Sequence, residues 1–134
     1  MTELLFDTST LSDIMKGRNP SVMQQARQYL AKHKQFTFSI LTRYEILRGL
    51  EAKKATKKIK NFNRLCSKSR VVPLTDEIVV IASQIYGELR RTGQTIGDAD
   101  ILIAATARYH GLPLVTENAA HFQRISGLVV KSWE

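Results

Sequence analysis

Leu4-Leu5-Phe6 is apolar at consecutive positions rather than alternate ones. Side chains along a strand point to opposite faces, so such a strand must be covered on both sides. That condition is met in a parallel sheet with helices packed on its faces. Short runs of β-formers recur at Phe36-Thr37-Phe38, Val71-Val72-Pro73-Leu74, Leu114-Val115-Thr116 and Gly127-Leu128-Val129-Val130. Helix-length amphipathic segments separate them, which predicts the α/β class: about five short strands in a mostly parallel sheet.

The helical segments have readable ends. Thr8-Ser9-Thr10 offers capping hydroxyls to a helix carrying Leu11, Ile14 and Met15, and Gly17 with Pro20 terminates it. A second helix starts near Pro20 and places Val22, Ala26, Tyr29, Leu30 and His33 on one stripe. Thr42-Arg43-Tyr44-Glu45 reads as a capping box ahead of Ile46, Leu47 and Leu50. Residues 53–70 hold eight Lys or Arg and no acid, with Ile59, Phe62, Leu65 and Cys66 at helical spacing, so one amphipathic basic helix is expected. Thr75-Asp76-Glu77 opens a helix that runs to Arg90, Arg91 and Gly93. The segment from Asp98 to His110 is apolar all round in its middle, the mark of a helix buried on most sides.

The 134 residues, 43% of them hydrophobic, suit one domain spanning 1–134. No apolar stretch approaches the roughly 20 residues of a bilayer span, and no basic segment leads into an apolar run of signal-peptide length. The expectation is a soluble cytoplasmic protein with no membrane association. Cys66 is the single cysteine, which excludes an internal disulfide and a cysteine zinc site and suggests a buried, inert thiol. His33, His110 and His121 lack the i, i+4 pairing of a histidine zinc site; His121 falls beside Phe122 in the loop after Thr116 and Glu117, near the acids, with a surface role expected. A formal net charge of +8 favours polyanions such as nucleic acid, and equally an acidic protein partner.

On this basic chain the acids fall at the ends of elements. Asp7 closes the first apolar run, Glu45 stands at the start of a helix, and Asp98 and Asp100 open the apolar helix. In an open α/β sheet these places surround the crevice at the carboxyl ends of the strands. Each acid alone has a plain alternative: Asp7 and Asp98 as N-caps, Asp100 as a favourable first-turn charge, Glu45 as half of a capping box. Taken together, acids converging on a positive chain point to a divalent metal and an anionic polymer. Residues 53–70 are either a solvated face or a contact for phosphates or a protein partner, and Arg43, Arg48, Arg90 and Arg91 are further candidates for phosphate contact.

Four motifs carry a resemblance that runs the whole length of the chain: Leu4-Leu5-Phe6-Asp7-Thr8-Ser9, Thr42-Arg43-Tyr44-Glu45-Ile46-Leu47-Arg48-Gly49, Gly97-Asp98-Ala99-Asp100-Ile101-Leu102-Ile103-Ala104-Ala105, and Leu114-Val115-Thr116-Glu117-Asn118 with Phe122. The sequence resembles the PIN-domain ribonucleases, most closely the VapC toxins of prokaryotic toxin–antitoxin pairs. The resemblance implies a three-layer α/β/α PIN-like domain that cleaves RNA using Mg²⁺, with Mn²⁺ as a substitute. It makes Asp7, Glu45 and Asp100 the core acids and Asp98 a helper. The family often has Asp two residues after the strand-end Thr; here that position is Asn118, preceded by Glu117. Asn brings a carbonyl oxygen but no charge, so the departure bears on a second metal site. Thr8, Ser9 and Thr116 are placed to orient the carboxylates. The implied partners are a VapB-type antitoxin and RNA, with a homodimer or a larger toxin–antitoxin assembly. Two rivals stand beside this reading. One is a catalytically weak PIN-fold module that binds RNA or protein. The other is a phosphatase of the haloacid dehalogenase class, which requires Asp where this chain has Ser9.

Overall fold

The computed structural model describes residues 2–133. In order these form β1 (Leu5–Phe6), α1 (Thr8–Lys16), α2 (Pro20–His33), β2 (Thr37–Ser39), α3 (Ile40–Ala52), α4 (Thr56–Ser67), β3 (Arg70–Val72), α5 (Asp76–Arg91), α6 (Asp98–His110), β4 (Leu114–Val115), α7 (Ala119–Phe122) and β5 (Val130–Lys131). The five strands make one parallel sheet in the order β3-β2-β1-β4-β5. The chain lays β2 and β3 on one side of β1, then returns to lay β4 and β5 on the other. Strand order therefore reverses between β1 and β4, and the carboxyl ends of those two strands open a crevice.

The apolar run around β1 is explained by its position. Leu4 and Phe6 enter one buried cluster with Leu11, Tyr29, Phe38 and Phe62, whereas Leu5 enters the other with Ile78, Ile85, Ile103 and Phe122. Helices α1 to α4 supply side chains to the first cluster and α5 to α7 to the second, giving three layers. Phe6 meets the edges of Tyr29, Phe36 and Trp133, with ring centroids 5.0, 4.9 and 5.1 Å away, respectively, a favourable geometry for aromatic rings. Helix α6 buries Ile101 and the whole run Ile103 to Ala107, as its all-round apolar middle predicts. No helix among the described residues is long and apolar enough to cross a membrane.

Three local readings are corrected. Helix α3 starts at Ile40, directly after β2, with Ser39 as its N-cap accepting from the Leu41 N–H. Thr42 and Glu45 thus lie inside the helix, and no capping box forms. The basic stretch is not one helix: Lys54 adopts a left-handed φ of 50°, and the turn around it separates α3 from α4. Finally, β5 lies at Val130–Lys131 rather than 127–130, and the turn α7, which no periodicity announces, precedes it. Cys66 is half-buried beside Arg43, and burial pushes its thiol pKa up.

Tyr29 is fully buried, and its hydroxyl accepts the Leu4 N–H at 3.1 Å just before the sheet begins. Tyr29→Phe keeps the ring and strands that amide in an apolar site. We expect a loss of about 1–3 kcal/mol, measured as a lower urea midpoint at unchanged slope.

Candidate active site

Asp7 is 4% exposed at the carboxyl end of β1, where its N–H donates to the Val115 carbonyl of β4. It is also the N-cap of α1: Oδ1 accepts the Thr10 N–H at 2.9 Å. Ser9 Oγ donates to the same oxygen at 2.9 Å, and Thr116 Oγ1, at the end of β4, donates to Oδ2 at 2.5 Å. Capping and site placement are therefore one arrangement. Burial pushes the Asp7 pKa up, while the bonds from Thr116, Thr10 and Ser9 pull against it.

Asp100 lies in the first turn of α6, half-buried. Its pKa is raised by burial first and then by the charges of Asp7 and Glu45, while His121 pulls it the other way. Three acids from elements far apart in the chain thus share one electrostatic field. Glu45 reaches the region from inside α3. Its Oε1 accepts from Thr8 Oγ1 at 2.6 Å, and Thr8 also meets the buried Thr42 Oγ1 at 3.1 Å. Arg48 approaches Glu45 Oε2 at 3.8 Å from the exposed side.

Asp98 is exposed and, two residues before Asp100 on the same helix, projects roughly 200° away around the axis. The N-cap of α6 is Gly97, so Asp98 does not cap it. Glu117 is exposed, and its N–H donates to Ser9 Oγ at 3.3 Å. Asn118 is exposed; its N–H donates to Thr116 Oγ1 at 2.9 Å, and its Nδ2 lies 3.2 Å from His121 Nδ1. Thr8, Ser9 and Thr116 each donate to an acid, and Ser9 and Thr116 also tether the 117–118 loop. Sequence reasoning gave Thr42 only a capping role, and it set His121 in the loop near the proposed site but preferred a surface role for it. His121 is half-buried and lies within electrostatic reach of Asp100; its i, i+3 spacing from Asn118 was the available signal.

Among the described residues, no three Asp, Glu, His or Cys side chains already close on one point as a ligand set. Mg²⁺ needs only one or two carboxylates and keeps several waters. An oxygen-only set of acids in mutual repulsion therefore fits a hard divalent cation, which would relieve that repulsion, and does not fit a soft metal.

A parallel α/β sheet with acids gathered at its switch point defines a class, and sequence comparison agrees. The PIN domain profile matches residues 4–128, and the chain belongs to the PIN-domain family. Within it the VapC proteins are its relatives. Ribonuclease VapC1 of Methanocaldococcus jannaschii is 32% identical over 133 residues, spanning 99% of this chain and 88% of that protein. The tRNA(fMet)-specific endonuclease VapC of Salmonella typhimurium is 25% identical over 99% of both chains. Among solved structures, DNA-bound VapBC from Salmonella typhimurium superposes with a TM-score of 0.84 at 25% identity, covering 100% of both chains. VapBC2 from Rickettsia felis, bound to a promoter DNA fragment, gives 0.86 at 22% identity over 98% of both, a likeness of fold.

Because burial and two like charges oppose ionisation of Asp100, its folded pKa lies above the ordinary 3.8. A raised acid pKa means that stability falls as pH rises from 3.8 through the folded value. Asp100→Asn should therefore stabilise the metal-free protein at pH 7, and the gain should vanish below pH 3.8. Urea unfolding at both pH values checks this.

Proposed function

We propose that this chain is a metal-dependent endoribonuclease, the toxin of a VapBC-type toxin–antitoxin pair, with Asp7, Glu45 and Asp100 as its core acids. The observation that carries the reading is Asp7: a carboxylate kept 4% exposed and beside other acids, on a chain of net charge +8. Such an arrangement costs folding stability and is expected where function requires it.

Asp7 and Asp100 are the residues we assign to hold Mg²⁺ or Mn²⁺, with Glu45 and Glu117 as further oxygen donors; Asp98, exposed and turned away from Asp100 on α6, is set outside this group. A bound ion supplies a Lewis acid and a water of lowered pKa for attack on phosphorus. The chain itself does the positioning. Thr116, Ser9 and the first turn of α1 fix both oxygens of Asp7, and Thr8 holds Glu45 toward the same crevice. Asn118, tied by its backbone to Thr116, offers a neutral amide where an acid would add repulsion. The protein relatives also suggest a VapB-type antitoxin and a homodimer or larger assembly. Exposed Ile40 and Tyr44 on α3, with Val79, Val80 and Tyr86 on α5, offer apolar surface for such contacts.

The test is RNA cleavage by purified, antitoxin-free protein. Mg²⁺ or Mn²⁺ should support it and EDTA should abolish it. Asp7→Asn and Asp100→Asn should each lower turnover about a thousandfold or more with the fold retained, since Asn caps helices as well as Asp. Asn118→Ala should cost about 10- to 100-fold. Wild-type turnover in Asp7→Asn would refute the assignment.

A further inference from the structure

A groove of about 440 Å³ leaves the acid cluster between α1 and the α3–α4 hairpin. Thr8 and Glu45 stand at its inner end, and Lys16, Arg18, Lys53 and Lys58 line it farther out. All four cations are exposed, and among the described residues none of them makes an ion pair. The arginines nearby are occupied: Arg43 donates to Asn63 and lies over the Phe62 ring, while Arg48 faces Glu45 and lies over Tyr44. Two of the four cations reach the groove because Lys54 turns the chain between α3 and α4; the other two come from the end of α1 and the loop after it.

Gly49 is a second, independent observation. It sits on α3 in the wall of this groove, and a Cβ built there would meet nothing within 4 Å. Glycine weakens a helix relative to alanine, and no left-handed φ requires it here. Its effect is to keep the wall open. No aromatic ring lines the groove, so it lacks the stacking platforms that hold bases and is suited to the strand's backbone.

We propose that this groove is the track along which a single RNA strand reaches the acids, its phosphates meeting Lys16, Arg18, Lys53 and Lys58. The proposal rests on the ribonuclease reading and adds the path of the substrate. Continuity with the acids favours RNA over an acidic protein segment, because a phosphate must arrive where the groove ends.

The experiment uses the full chain carrying Asp7→Asn, in EDTA, with a labelled unstructured 12-nucleotide RNA followed by fluorescence anisotropy. Replacing all four groove cations by Gln should weaken binding at least tenfold. It should also flatten the slope of log K against log salt by up to about 3, at roughly 0.7 per lost phosphate contact on a single strand. A control with Lys57, Lys60, Arg64 and Lys68 changed to Gln removes the same charge off the groove and should lose much less. Gly49→Leu should block RNA without lowering the urea midpoint. Equal losses in the two charge variants would reduce the effect to net charge and overturn the track. So would unchanged affinity in the groove variant or in Gly49→Leu, or a polyglutamate peptide that competes as strongly as RNA at equal charge. Cleavage by the otherwise native chain separates the two readings. Metal-dependent cleavage with KM unmoved by the groove substitutions sinks the track alone. RNA held by the groove without any cleavage sinks the nuclease alone.

Discussion

A buried carboxylate at the end of the central strand is the constraint around which the rest of this molecule is organised. Asp7 has little access to water, so the protein must supply its hydrogen bonds. One comes from a backbone amide of α1, one from the Ser9 hydroxyl and one from Thr116 on the neighbouring strand. The first two tie down the first turn of α1, and the third ties the end of β4 to it. The sheet order that puts β4 beside β1 is therefore also what makes Asp7 tolerable where it is.

The two apolar clusters position everything else. Phe6 and Leu5 face opposite sides of the sheet, so α1 to α4 and α5 to α7 are drawn onto opposite faces of the same short strand. Helix α6 is buried along nearly its whole length, which fixes its N-terminus and so the depth of Asp100. Glu45 is held differently, through a relay of hydroxyls from Thr42 to Thr8. Packing thus brings together acids whose mutual repulsion opposes their meeting; burial first, and that repulsion after it, raise the pKa of Asp100.

The charge pattern complements this arrangement. Asp7, Glu45 and Asp100 share one field at the crevice, while exposed cations line the groove leading to it. A polyanion approaching such a molecule is attracted by the whole field and is in contact with acids only at the groove's inner end, where a divalent cation would neutralise them. Attraction over the surface and repulsion at one point are what the proposed metal ion would reconcile where the acids meet.

The sequence by itself determined the class of fold and named the acids proposed for the site. Consecutive apolar residues at 4–6 demand cover on both faces, and acids at strand and helix ends lie where a parallel sheet has its crevice; both depend on local pattern. It did not determine where helices truly begin. Ser39 rather than Thr42 caps α3 because β2 ends there, and the Lys54 turn divides a stretch whose periodicity reads as continuous. Nor do α7 and β5 announce themselves, since so few residues make no period. Only the tertiary structure decided which acid Thr116 would bond, that Thr42 would meet Thr8, and that Lys16 and Arg18 would join Lys53 and Lys58 on one groove. Those partners are far apart in sequence, and what unites them is the order of strands and the packing of helices on them, which no local pattern encodes.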